Sequence, residues 1–195
     1  MVLMSYSDSK SVFDDDTKKQ LLDIAKKSIE YGLSEHQPMT VSPSDYSPVL
    51  QKSGACFVTL EKQGVLRGCI GSLAAHRPLI VDVVDNAFSA AFRDPRFESL
   101  QPYELSELTI HISVLSPAED FPAVDEADLL RQLKPGIDGL ILHDGRHRAT
   151  FLPSVWESLP EPKQFVAHLK LKAGLPSDYW SASLRFERYH SEMIE

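Results

Sequence analysis

Residues 55–60 (Ala-Cys-Phe-Val-Thr-Leu) and 65–70 (Val-Leu-Arg-Gly-Cys-Ile) are two strand-forming stretches joined by only Glu61-Lys62-Gln63-Gly64. A link this short turns the chain back on itself, so the pair reads as an antiparallel hairpin. Gly64 in the fourth turn position predicts a three-residue loop with a left-handed glycine. That register pairs Glu61 with Val65, Thr59 with Arg67 and Phe57 with Cys69. One face then carries Phe57, Thr59, Arg67 and Cys69. The other, with Cys56, Val58, Leu60, Leu66 and Ile70, is the expected core face. Cys56 and Cys69 leave opposite faces in this register and cannot bridge. A two-residue turn would instead set them opposite one another.

The rest of the chain mixes helices with further hairpins. Residues 1–13 read as a loose tail and 14–195 as a single domain of two lobes. Asp14-Asp15-Asp16-Thr17 opens a helix, its acidic start matched to the helix dipole, with Leu21, Leu22, Ile24, Ala25 and Ile29 as an apolar stripe and Gly32 near its end. Pro38, Pro43 and Pro48 mark an extended loop over 34–53. The pattern Leu79, Ile80, Val83, Val84, Ala87, Phe88, Ala91, Phe92 is the clearest helix, over 78–92, and Pro95 ends it. Residues 108–115 alternate as a strand, with His111 beside Thr109 and Ser113 on the face away from Ile110 and Ile112. A short helix is predicted over 125–133. Asp144-Gly145 centres a second hairpin between 139–143 and 146–151. Helices near 153–158 and 162–173 and a last strand near 183–190 complete the reading. Hairpins and helices without regular strand-helix alternation indicate an α+β fold, mainly antiparallel sheet with flanking helices.

Charge and motifs exclude several function classes. The chain has 195 residues and a net charge of -8, which disfavours a broad electrostatic hold on nucleic acid. The basic and aromatic residues of Arg185 to His190 read as a solvated strand face. No phosphate loop or dinucleotide fingerprint occurs, so no cofactor is expected. His143 and His147 have ligand-like spacing, but the hairpin about Asp144-Gly145 sends them to opposite faces, and no metal site is expected. The start of the chain has no basic region followed by an apolar core, and no apolar run is long enough for a bilayer. With two cysteines only, the expectation is a cytoplasmic protein with free thiols.

The chemistry concentrates in Leu66-Arg67-Gly68-Cys69-Ile70-Gly71. A guanidinium two strand positions from a thiol shares its face and favours the thiolate. Cys69 is the candidate nucleophile, and a nucleophilic cysteine needs a base in reach, for which His76 and His111 are the nearest candidates. Its plain alternative is a small packed residue. Arg67 reads either as a clamp for a carboxylate or phosphate or as a structural ion pair with Asp94 or Glu104. Gly68 and Gly71 either admit a ligand to the backbone or mark a bulge or bend. Asp94-Pro95-Arg96-Phe97 either presents a carboxylate and a guanidinium to a ligand or is a helix stop in which Asp94 and Arg96 bond local backbone and Phe97 anchors the turn.

Gly54 to Leu60 and Leu66 to Gly71, followed by Asp94-Pro95-Arg96-Phe97, Glu104-Leu105, Gly136 to Leu140, Phe151-Leu152-Pro153, Lys172 to Leu175 and Trp180, resemble the AMMECR domain family across about residues 15–190. Its microbial members are known as protein A of the AmmeMemoRadiSam system. The resemblance implies a compact two-lobed α+β fold with the hexapeptide near a cleft, and no established biochemical function. It also implies a setting beside Memo-like and radical S-adenosylmethionine proteins. The family often has glutamine after Leu152-Pro153, where this chain has Ser154, so any ligand contact by that glutamine is altered here. Two readings follow. In one, an enzyme or enzyme component binds an anionic small molecule or modified substrate through Arg67, Gly68, Gly71, Asp94, Arg96 and Glu104, with Cys69 as nucleophile. In the other, the chain is a non-catalytic ligand- or peptide-binding module that scaffolds those partners.

Overall fold

The computed structural model describes residues 12–195. The chain separates into two compact units, one running up to Val114 and including Glu192–Glu195, the other Leu115–Ser191. The reading of residues 1–13 as a loose tail lies outside the described residues as far as residue 11. Val12 and Phe13 depart from it: the Val12 N–H donates to Glu192 at 2.9 Å and the Phe13 ring is buried.

The first unit opens with helix α1 (Asp15–Glu35). The Asp14 carboxylate accepts the Thr17 N–H at 2.8 Å, satisfying one of the donors a helix start leaves open. Leu21, Ile24, Ala25 and Ile29 form its buried stripe. The loop expected over 34–53 is broken by a 3-10 turn at Pro43–Asp45 and by the short helix α2 (Pro48–Gln51), which buries Leu50. Strands β1 (Ser53–Lys62), β2 (Val65–Gly71) and β3 (Arg77–Pro78) follow, then helix α3 (Leu79–Phe92), a 3-10 turn at Pro102–Glu107 and strand β4 (Leu108–Leu115). The sheet order is β2-β1-β4, closed by the last strand of the chain, β9 (Ser191–Ile194), with β3 paired to β1. The sequence reading has no strand at 191–194. Only pairing with β4 makes this short segment one.

Helix α3 lies on β1 and β2 and against α1. Cys56, Val58 and Leu60 of β1 face it fully buried, with Ile80, Val83 and Ala87. The hairpin register differs from the expected one. Lys62 pairs with Val65, so the loop is the two residues Gln63 and Gly64, both at positive φ (53° and 74°), as a type I′ turn demands. A bulge then makes Arg67 an extra residue: Glu61 pairs with Leu66 but Leu60 with Gly68 and Thr59 with Cys69. Leu66 is therefore 40% exposed rather than core. Gly68 takes the inward position, against α3. The bulge preserves the separation of the thiols: Cys56 faces the core and Cys69 stands beside Thr59 on the other face, both free.

The second unit contains β5 (Glu119–Asp120), α4 (Glu126–Gln132), β6 (Gly139–Asp144), β7 (His147–Phe151), a 3-10 turn at Pro153–Glu157, α5 (Pro162–Lys172) and β8 (Arg185–Tyr189). Its sheet runs β5-β8-β6-β7. Trp156 stacks on Phe165 at 3.8 Å in its core. The β6–β7 loop is Gly145-Arg146 rather than Asp144-Gly145. His143 pairs with Arg148 and Asp144 with His147, with Gly145 at φ 56° in the first central position. Strand β8 lies inside the sheet with Phe186 and Tyr189 buried, so the solvated face read over 185–190 is confined to its other side chains. There Arg188 pairs with Glu119 and Glu187 with His143.

Candidate functional site

Strand β2 is a sheet edge, and an edge leaves one row of backbone N–H and C=O groups unpaired. At Cys69 the Asp94-Pro95-Arg96-Phe97 segment satisfies both. The Cys69 N–H donates to Asp94 Oδ2 at 2.9 Å, and Arg96 Nη2 donates to the Cys69 carbonyl at 3.2 Å. The segment reaches this edge because α3 stops at Phe92 and Pro95 keeps the chain from continuing as helix. Asp94 is buried and also accepts from the Arg96 N–H at 3.1 Å, Nε at 2.9 Å and Nη2 at 2.6 Å. The Arg96 hydrogen bonds hold the Asp94 carboxyl well below the usual carboxylate range. Of the local-backbone reading only the Asp94 part is present, in its bond from the Arg96 N–H; the Arg96 side chain reaches the Asp94 carboxylate and the distant Cys69 carbonyl instead.

Arg67, the bulge residue, is engaged in the same manner. Its Nε and Nη2 donate to the two oxygens of Glu104 at 2.9 and 3.0 Å, a bidentate fork on a carboxylate. Glu104 is buried, and it also accepts the Gln101 N–H at 3.0 Å. The Arg67 hydrogen bonds hold its carboxyl down at about 2. Arg67 Nη1 is buried without a hydrogen-bond partner. The Phe97 ring lies near both guanidinium groups, 5.4 Å from that of Arg96 and 6.0 Å from that of Arg67. Two carboxylate–guanidinium clasps therefore hold the hexapeptide, joined by one aromatic ring. Of the two carboxylates offered as its ion-pair partner, Arg67 meets Glu104.

Cys69 itself is half-buried. Its sulfur receives a hydrogen bond from Thr59 Oγ1 at 3.2 Å, a neutral hydroxyl directly across the strand pair. Neither imidazole offered as its base is bonded to it. His76 Nδ1 meets the Ala74 carbonyl at 2.8 Å, and His111 sits between Glu61 and Glu195 at 3.5 and 3.4 Å. Gly68 and Gly71 both lie where a side chain would collide with a neighbour. A Cβ on Gly68 would stand 2.1 Å from the Ala90 carbonyl oxygen of α3, and one on Gly71 would stand 2.3 Å from the Phe57 ring. Arg67, Gly68, Cys69, Asp94, Arg96 and Glu104 thus meet around β2, and Gly71 ends it. His143 meets Glu187 and His147 meets the Ala173 carbonyl, so the two act apart.

A third clasp escaped the sequence reading. Asp82 of α3 is fully buried and accepts the Cys56 N–H, Ser72 Oγ and Arg77 Nε, at 2.9, 2.9 and 2.8 Å. Asn86, one turn on, donates to the Cys56 carbonyl at 3.1 Å and to Asp82 at 2.9 Å. The signal was present: Asp82 and Asn86 are polar, four residues apart, in a helix that is otherwise largely apolar. Thr59 and Phe97 carried no signal of their own, since a strand threonine and a phenylalanine after a turn are ordinary.

The model of the AMMECR1 family matches residues 22–194. A protein of Methanothermobacter thermautotrophicus is 35% identical over 92% of this chain and 94% of its own length. A protein of Saccharolobus islandicus is 40% identical over 87% of this chain and 77% of its own length. Among solved structures, an uncharacterised protein of Pyrococcus horikoshii superposes with a TM-score of 0.84 at 31% identity, covering 93% of this chain and 92% of that one.

Proposed function

The chain belongs to the AMMECR1 family, and on that premise we propose that it is a non-catalytic ligand- or peptide-binding protein whose recognition surface surrounds β2. The observation that carries this reading is the state of the two arginines. Arg67 and Arg96, the groups suited to grip a substrate anion, are each already bound by a carboxylate of the same chain. A guanidinium so engaged positions the backbone, and releasing it would strand a buried carboxylate. The clasps present the half-exposed Thr59, Cys69 and Phe97 in a fixed arrangement, which lowers the ordering cost of binding. The working partners in this reading are the Memo-like and radical S-adenosylmethionine proteins that the family resemblance implies, in the cytoplasm. Free thiols support that location. No helix among the described residues is long and apolar enough to cross a membrane.

Alkylation separates this reading from an enzyme. Folded protein is treated with iodoacetamide across a pH series and each cysteine is followed by mass spectrometry. Burial, first among several causes, pushes the Cys56 thiol well above its ordinary value, so Cys56 is expected to stay unmodified until the protein unfolds. Cys69 is expected to react slowly at about pH 6, as a thiol without an activating base does. Rapid modification of Cys69 at that pH, lost in Arg96→Ala, would overturn the binding reading in favour of a thiolate nucleophile.

A further inference from the structure

A recess of the first unit lies beside the C-terminal end of α1. It encloses about 530 Å³, within the range of small-molecule sites. Leu33, Phe88, Phe92 and Leu100 supply its apolar wall, and Phe88 and Phe92 stand 4.9 Å apart, tilted by 43°. The wall is set by Gly32: a Cβ there would stand 2.4 Å from Phe92 and 2.8 Å from Phe88, so only glycine lets both rings come this close to α1. His36 and Arg93 supply the polar end.

Arg93 differs from Arg67, Arg77 and Arg96, which are all bound by carboxylates. Among the described residues its guanidinium meets no carboxylate. It lies over the Phe88 ring, 4.8 Å from the centroid, and none of its N–H groups donates to a described residue. Among the described residues no aspartate or glutamate lines the recess, in a chain with 28 of them. An apolar wall, a guanidinium over an aromatic ring and an acid-free lining together define what fits. We propose that this recess binds a small amphiphilic anion, a carboxylate or phosphate group carried on an apolar body, with the head group on the Arg93 fork and the body against Phe88 and Phe92. This site is separate from the surface around Cys69 and does not depend on the reading given to that surface.

Titration of the full chain with phenylbutyrate, phenyl phosphate and neutral phenylbutanol, followed by NMR at the Phe88 and Phe92 rings and the Arg93 Nε, tests the proposal. At least one anion is expected to shift these signals and to bind about tenfold more tightly than the alcohol, the scale of a charge-assisted hydrogen bond. Which anion binds better identifies the head group. Arg93→Gln is expected to abolish the preference and Arg93→Lys to retain only part of it, because an ammonium lacks the fork. Arg93 is exposed and outside every clasp, so both variants should fold. The proposal is overturned if none of the probes shifts these signals at millimolar concentration, if the alcohol binds as tightly as the anions, or if the preference survives in Arg93→Gln.

Discussion

Gly68→Ala is expected to cost about 3 kcal/mol of stability, the upper range for overpacking a filled interior. The added methyl would stand 2.1 Å from the Ala90 carbonyl oxygen, and that oxygen belongs to helix backbone rather than to a side chain able to rotate away. Either α3 must lift from the sheet or β2 must move outward. The second course stretches the Asp94 and Arg96 bonds to Cys69 as well, so strain at one glycine is felt at that clasp. Urea unfolding gives the comparison, with Gly64→Ala as the control. Gly64 has open space around its Cβ position but φ 74°, so its substitution isolates the cost of a left-handed alanine, about 1 kcal/mol. A Gly68→Ala variant no less stable than Gly64→Ala would mean that the close approach of helix and strand does not limit this fold.

The same residue marks the limit of what the sequence made legible. Hydrophobic periodicity located α1 and α3 closely, because burial of a stripe is a local, repeating property. The α+β class followed from the hairpins. The hairpin registers did not. Gln63 adopts positive φ where the expected turn placed only glycine, and the bulge at Arg67 then restores Cys69 to the Thr59 face. Two local departures nearly cancel: the cysteine faces came out as expected while the pairing, and with it Leu66, did not. A bulge depends on what the extra side chain reaches. Here that is Glu104, 37 residues away. For the same reason the sequence gathered the members of the site but left their pairing open. Carboxylates and guanidinium groups can be read from a sequence, while which of them meet is decided by where α3 sets down the segment after it. Strand β9 was missed because its partner, β4, is distant in the chain.

Glu104→Gln is expected to cost about 3 kcal/mol at neutral pH, because it leaves the Arg67 guanidinium without its counter-charge where one of its nitrogens already lacks a partner. Its pH dependence gives a sharper signature. Glu104 has its carboxyl held at about 2 in the folded protein, against 4.5 ordinarily. Its folded value is the lower one, so the unfolded chain takes up this proton first as the solution is acidified. The contribution is complete above about 4.5 and is lost as pH falls through about 2. Asp94 acts with the same sign, its contribution beginning to be lost as pH falls below the ordinary aspartate value of 3.8, through its bonds from Arg96. Unfolding free energy of the wild type should therefore decline between those limits, and Glu104→Gln should decline less steeply while starting lower. Arg67→Met should remove the same part of the slope, and the double variant should be less destabilised than the sum of the two by about 2 kcal/mol, as expected for partners in contact. If both single variants kept the full acid slope, the fork between Arg67 and Glu104 would not be what fixes the bulge, and Asp94 with Arg96 would have to hold β2 alone.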